Sequence, residues 1–129
     1  MLYPRVAALL FAVVAAVVIS FEIALACGAP WGFMAMGGAN TGVLPPSLRV
    51  AAVVQAVLLA SMTFVVLSRA GVVPPGPARW STRLIWVVVA FAAVSVVLNA
   101  ITPSETERSV WLPVAIVMLV SSLIVARTR

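Results

Sequence analysis

Residues 6–27 read VAALLFAVVAAVVISFEIALAC, a run that is apolar except for Ser20, Glu22 and Cys27. As an α-helix rising about 1.5 Å per residue, this run spans the roughly 30 Å hydrocarbon core of a bilayer. Glu22 lies near one end of the run and is the only acidic residue within an apolar segment of the chain. Because an ionisable group is costly inside a membrane helix, Glu22 is a candidate functional residue.

The same run has some features of a secretory signal peptide, because Ala24-Leu25-Ala26 before Cys27 resembles a cleavage site. Leu25 is bulky where a lipoprotein site has a small residue, and Glu22 interrupts the apolar core. The run is also long enough to cross a membrane, so we expect an uncleaved helix.

The rest of the chain is equally apolar. Of its 129 residues, 64% are hydrophobic and only 9% are charged, which is too few for the surface of a soluble domain. Further helices are predicted at about residues 48–68, 80–101 and 103–126, all largely apolar except for the polar first turns of the last one. The sequence therefore predicts an all-α fold: one domain, residues 1–129, with four transmembrane helices in an up-down bundle.

The first connection, residues 28–47, is the longest. It holds five of the seven glycines and three of the nine prolines, which indicates a loop. Several of its side chains are nevertheless apolar, so we expect it to lie on the membrane surface or to dip back among the helices. At the third connection, Thr102-Pro103 predicts a helix start with Thr102 as the N-cap.

Arginine placement predicts the orientation. One side holds six arginines and the other holds Arg49 and Arg108; the six are Arg5, Arg69, Arg79, Arg83, Arg127 and Arg129. The positive-inside rule then places both termini in the cytoplasm and the Gly/Pro-rich first loop outside. Abundant alanine, valine and proline with arginine in place of lysine indicate a bacterial protein, and thus a plasma-membrane location.

Polar residues collect at one depth. Glu22, Gln55 and Ser95 come to within a few ångström of one level, and Asn99 is also in the outer half of its helix. Arg49 and Arg108 lie just above, and Trp31 is in the loop. This pattern predicts a polar ligand or proton site in the outer leaflet, formed by Glu22, Gln55, Ser95, Asn99, Arg49, Arg108 and Trp31, and roofed by residues 31–36.

A purely structural interpretation competes with this site. Serine, asparagine and glutamine commonly join membrane helices through hydrogen bonds. Glu22 could be protonated and bonded to Gln55 or Asn99, or paired with Arg49 or Arg108.

Small residues recur at every fourth position in the first helix, from Ala8 to Gly28, and in the second, from Ala52 to Ala60. Such stripes allow close approach, so we expect these helices to pack tightly. Glu22 lies nearly opposite the later part of the first stripe. It should then face the third helix, the fourth helix or a second subunit.

The composition argues against several types of functional site. The chain has no His, Asp or Lys, so a catalytic triad and a protein-only metal site are not expected, and its single cysteine excludes an internal disulfide. We expect no cofactor and lean against an enzyme. Arginines at the ends of apolar runs suit lipid headgroups better than nucleic acid, so the expected partners are membrane lipids. A homo-oligomer or a larger membrane complex stays open.

The loop sequences Gly28-Ala29-Pro30-Trp31-Gly32, Gly37-Gly38 and Gly42-Val43-Leu44-Pro45 resemble the first-loop signature of small, uncharacterised four-helix membrane proteins of actinobacteria. The corner from Thr102-Pro103-Ser104 through Glu107-Arg108 to Trp111 and Pro113 is similar to that group as well. The resemblance implies a four-helix membrane fold and no assigned activity. Small multidrug resistance transporters share the length, the four helices and a glutamate in the first helix, but no further motif.

Three functions follow as hypotheses. The first is a small-ligand or lipid-binding protein, or an accessory membrane subunit, with a polar pocket in the outer leaflet. The second is a proton-coupled, multidrug-type transporter that uses Glu22. The third is a membrane enzyme that acts on lipid.

Overall fold

The computed structural model of the protein describes residues 2–74 and 80–128. Four long helices make up the fold: α1 (Leu2–Ala26), α2 (Pro46–Arg69), α3 (Trp80–Ile101) and α4 (Glu105–Ala126). Two single-turn 3-10 helices, Gly32–Met34 and Met36–Gly38, lie in the first loop, and the described residues contain no strand. All four long helices are apolar and long enough to cross a membrane. The predicted all-helical, four-span fold is confirmed.

The four helices form a closed bundle. α1 packs against α2 and α4, and α3 packs against α4 and α2, as in an up-down four-helix arrangement. The contacts of α1 with α2 and of α3 with α4 are the most extensive. The side between α2 and α3 is the least tightly packed of the four.

The helix ends follow local rules with small shifts from the prediction. α1 begins at Leu2, earlier than expected, because Pro4 falls within its first turn, where proline is tolerated. It ends at Ala26, and the N–H groups of Gly28 and Ala29 donate to the carbonyls of Leu25 and Ala24. Gly28 has φ of 101°, the left-handed conformation that closes a helix in this way.

The start of α4 differs from the prediction. Its N-cap is Ser104, whose Oγ accepts a hydrogen bond of 3.1 Å from the backbone N–H of Glu107. The prediction of Thr102 as N-cap is therefore wrong by two residues. The Ser104 cap precedes a Glu at the third helical position, which is a second capping signal in the same corner.

The buried residues of α1 recur at the helical spacings of three, four and seven; they are Pro4, Ala7, Ala8, Phe11, Ala15, Glu22 and Leu25. Ala16 and Ser20 are exposed, so the expectation that the stripe of small residues packs against another helix is wrong at these two positions. A strict four-residue repeat advances about 40° around the helix per step and therefore turns away from the partner. The packing of α1 against α2 is nevertheless extensive.

The first loop folds over one end of the bundle, called here the loop end. Ala35 and Leu44 of the loop are buried against Leu25 of α1 and Ala52 of α2. This small apolar cluster fixes the position of the loop relative to the first two helices. The Pro-rich part of the second connection, residues 75–79, lies outside the described residues, as does Arg129.

Candidate functional site: a cavity beneath the first loop

A cavity of about 570 Å³ lies at the loop end, between the helices and below the loop. Side chains of all four helices line it, and residues 34–37 of the loop contribute to its wall. Ligand-binding cavities in proteins commonly have volumes of about 300 to 1,000 Å³. The space is therefore large enough for a small organic molecule or part of a lipid.

The lining changes from polar to apolar with depth. Near the loop the lining includes Glu22, Gln55, Ser95, Asn99, Thr102 and Glu107. Deeper in the bundle it includes Phe11, Val18, Leu59, Met62, Val88 and Met118. Phe11 and Glu22 are separated by about 16 Å of helix at the usual rise. An amphiphilic molecule fits such a lining with its polar group near the loop.

Glu22 is buried, with only 8% of its surface exposed, and its Oε2 atom has no hydrogen-bond partner among the described residues. An unpaired buried carboxyl group is energetically costly, and natural structures contain few of them. The structural interpretation gave Glu22 a partner among Gln55, Asn99, Arg49 and Arg108. Asn99 instead donates from Nδ2 to the carbonyl of Ser95, at 2.7 Å. Oε2 of Glu22 is thus available to a ligand.

The other three predicted membrane residues also line the cavity. Ser95 and Asn99 are half-buried on α3, whereas Gln55 on α2 is exposed. Phe91, Leu98 and Ile101 on α3 line the cavity and are exposed as well. Because these exposed lining residues lie on α2 and α3, the cavity opens sideways between α2 and α3, the least tightly packed side of the bundle.

The two predicted arginines are not brought to the cavity. Nε of Arg49 donates to the carbonyl of Ala26 at 2.8 Å, and Nη1 of Arg108 donates to the carbonyl of Thr102 at 2.8 Å. These carbonyls lie at or just beyond the ends of α1 and α3, where backbone acceptors lack helical partners. The arginines therefore satisfy helix ends, and neither belongs to the lining formed by the described residues.

Trp31 lies outside the cavity lining but contacts one of its members. Its ring stacks on Phe21, with centroids 6.1 Å apart and planes 8° apart. Phe21 lines the cavity and also contacts Trp111 of α4, at 4.6 Å between ring centroids. Trp31 is 43% exposed, so it supports the wall from outside.

Three side chains of α4 and its cap, Ser104, Glu107 and Trp111, hold the loop in place and are called here the α4 clamp. Oε2 of Glu107 accepts from the N–H of Gly37 at 2.9 Å. Oγ of Ser104 donates to the carbonyl of Phe33 at 2.7 Å, and Nε1 of Trp111 donates to the carbonyl of Met34 at 2.9 Å. Each bond joins residues at least 70 positions apart.

Sequence reasoning missed the α4 clamp. The spacing of Ser104 and Glu107 is a capping signal, and nothing in it points to a loop far away in the chain. Glu107 and Trp111 also line the cavity, so the clamp and the cavity share residues.

The arrangement suits binding of an amphiphile. It offers one buried carboxyl group without a partner, a few amide and hydroxyl groups, and a deep apolar wall. The described residues contain no group of three or more His, Cys, Asp or Glu side chains that could hold a metal ion. No protein-family model, no curated protein and no solved structure matches the chain.

Proposed function

We propose that this is a multi-pass protein of the bacterial plasma membrane that binds a lipid or another lipophilic molecule in the cavity beneath its first loop. It acts as a binding protein or as an accessory subunit of a membrane complex. The observation that carries the proposal is the cavity itself: an apolar chamber with the unpartnered carboxyl group of Glu22 at its polar end.

The side opening supports a lipophilic ligand. The exposed lining residues on α2 and α3 would face acyl chains if the helices cross a bilayer. A molecule dissolved in the membrane could then enter between these helices without crossing the loop. Water-soluble ligands would have to pass the clamped loop.

The arginine distribution supports an orientation with both termini in the cytoplasm. The first loop is then outside and the cavity lies in the outer leaflet. The resemblance to the actinobacterial four-helix group implies a bacterial membrane protein with four helices.

The proposal is tested by exchanging Ser95 for phenylalanine. Ser95→Phe places a large ring in the cavity, whereas Val94→Phe puts the same ring on an exposed position of α3 outside its lining. Protein purified in phosphatidylcholine nanodiscs is transferred to the gas phase, and retained amphiphiles are identified by native mass spectrometry. We expect retention by the natural protein and by Val94→Phe, with loss in Ser95→Phe. Equal retention in both variants would contradict a ligand site in this cavity.

Proton-coupled export of small cations is a second candidate, because a buried, unpartnered glutamate is what such exchange requires. Proteoliposomes with an imposed proton gradient distinguish it from simple binding. Uptake of ethidium that disappears in Glu22→Gln would favour export. Binding without gradient-driven uptake would favour the first proposal.

A further inference from the structure

The charge of the cavity lining limits the ligands that it can accept. Two of the lining residues, Glu22 and Glu107, are acidic, and none of the described lining residues is basic. Arg49 and Arg108 are occupied by the carbonyls of Ala26 and Thr102. An anionic headgroup placed at the polar end would meet two carboxyl groups and no cation of the lining.

The two carboxyl groups differ in their partners. Oε2 of Glu107 accepts the N–H of Gly37, so that atom has a bond within the protein. Oε2 of Glu22 is buried and has no hydrogen-bond partner among the described residues. Because buried polar groups are nearly always hydrogen-bonded, the atom that a ligand should satisfy is Oε2 of Glu22.

The partner that satisfies a buried carboxyl group best is a cation that also donates a hydrogen bond. Charge-assisted hydrogen bonds are about twice as strong as neutral ones, and a paired charge avoids the cost of burying a lone carboxylate. An alcohol supplies the hydrogen bond without the charge, and a quaternary ammonium supplies the charge without the N–H.

We propose that the cavity binds an ammonium group that carries at least one N–H and is attached to an apolar body. The ammonium group binds the carboxyl group of Glu22, and the apolar body lies along Val18, Leu59 and Met118. This inference rests on the proposed function, since it specifies the ligand of the same cavity. The ammonium group could belong to the headgroup of a membrane aminolipid or to a free lipophilic amine.

The test uses the full chain in phosphatidylcholine nanodiscs and four probes with the same twelve-carbon tail: dodecylammonium, dodecyltrimethylammonium, dodecanol and dodecyl phosphate. Binding of each radiolabelled probe is measured and corrected with empty nanodiscs. We expect dodecylammonium to bind at least about tenfold more tightly than the other three, the factor expected for one charged hydrogen bond. Equal binding of dodecyltrimethylammonium would overturn the N–H requirement, and equal binding of dodecanol or dodecyl phosphate would overturn the requirement for a cation.

Variants then assign the partner atom. Glu22→Gln keeps the size of the side chain and removes its charge, and it should weaken dodecylammonium binding by about tenfold or more. Glu105→Gln is the matched control, because Glu105 is exposed on the first turn of α4 and lies outside the cavity lining; it should weaken binding by less than about threefold. Glu22→Asp keeps the charge and should recover most of the affinity. Comparable losses in Glu22→Gln and Glu105→Gln would overturn the assignment to Glu22. Melting temperatures of all variants show whether each is folded.

The source of the ammonium group is tested in nanodiscs that contain equal amounts of phosphatidylethanolamine and phosphatidylglycerol. Retention of phosphatidylethanolamine that depends on Glu22 supports the proposal and assigns the group to an aminolipid. Retention of neither lipid, with tight binding of dodecylammonium, supports it and assigns the group to a free amine. Preferential retention of phosphatidylglycerol overturns it.

The outcomes also separate this inference from the proposed function. If one of the other three probes binds and Ser95→Phe abolishes that binding, the cavity is a ligand site and only the ammonium assignment fails. If no probe binds, the ammonium assignment fails, and the retention experiment with Ser95→Phe and Val94→Phe decides the proposed function separately.

Discussion

Gly37 and Glu107 are 70 residues apart in the chain and are joined by a hydrogen bond of 2.9 Å, from the backbone N–H of Gly37 to Oε2 of Glu107. In a capping box this carboxylate would turn back to the N–H of its own N-cap residue. Here the N–H of Ser104 donates instead to Oγ1 of Thr102, at 3.3 Å. The carboxylate is therefore free to fasten the first loop to the last helix.

Loss of this carboxylate should loosen the loop. In Glu107→Ala we expect the amides of residues 32–38 to exchange with deuterium about tenfold faster, which corresponds to about 1.4 kcal/mol for one hydrogen bond to a charged group. Glu107→Gln retains an acceptor and should stay close to the natural protein. Hydrogen-exchange mass spectrometry in nanodiscs measures both. Unchanged exchange in the alanine variant would show that the clamp does not depend on this bond.

Replacement of Glu22 by an apolar residue should stabilise the ligand-free protein. Oε2 of Glu22 is buried without a partner, so Glu22→Leu removes a desolvation cost and should raise the free energy of unfolding by about 1 to 3 kcal/mol. The matched change Glu107→Leu deletes a bonded carboxyl group and should lower it. Unfolding by sodium dodecyl sulfate in mixed micelles measures both changes. A destabilised Glu22→Leu would mean that the carboxyl group has a stabilising role within the protein.

Gly38 should tolerate no side chain. Its φ is 75°, and a Cβ atom there would lie 2.8 Å from Cβ of Ser104. Gly38→Ala should therefore cost about 1 to 3 kcal/mol and displace the loop from α4. Gly42→Ala is the control in the same loop, since a Cβ at Gly42 meets nothing within 4 Å. The same unfolding titration compares the two, and equal stabilities would argue against close contact between the loop and Ser104.

The single cysteine allows the orientation to be tested without engineering. Cys27 is exposed and lies where α1 joins the first loop. If both termini are cytoplasmic, a membrane-impermeant maleimide added to intact cells should label Cys27. Cys27→Ser is the control for labelling that does not depend on this cysteine. Labelling that appears only after the membrane is permeabilised would reverse the proposed topology.

Depth along each helix could be predicted from the sequence, because the rise per residue converts position into height. Glu22, Gln55 and Ser95, which were expected near one level, all line the same cavity, as does Asn99, which was expected in the outer half of its helix. The bounds predicted for α3 agree with the helix Trp80–Ile101 of the structure, because no glycine or proline occurs within this stretch.

Direction around each helix was harder to predict than depth. The alanine stripe of α1 was misread because a four-residue repeat drifts around the axis, so Ala16 faces outward. The arginines were expected at the cavity because their height is suitable. The position of Arg49 along the helix axis does not show that its side chain donates to the carbonyl of Ala26 at the end of α1.

Contacts between distant loops and helices could not be predicted at all. The bond from Gly37 to Glu107 has no counterpart in composition or periodicity, since it depends on how the loop returns over the bundle. The capping signal at Ser104 was present in the sequence, but the neighbouring Thr102-Pro103 offered a competing start, and no local pattern ranks the two.

The α4 clamp has a consequence for biosynthesis. Its three hydrogen bonds join the first loop to the last helix, so none of them can form until α4 has been translated and inserted. A nascent chain with three helices in the membrane would lack the cavity wall that α4 supplies, and its first loop would be held only by the apolar cluster with α1 and α2. The cavity therefore closes only when α4 inserts, and a ligand can be enclosed in it during assembly.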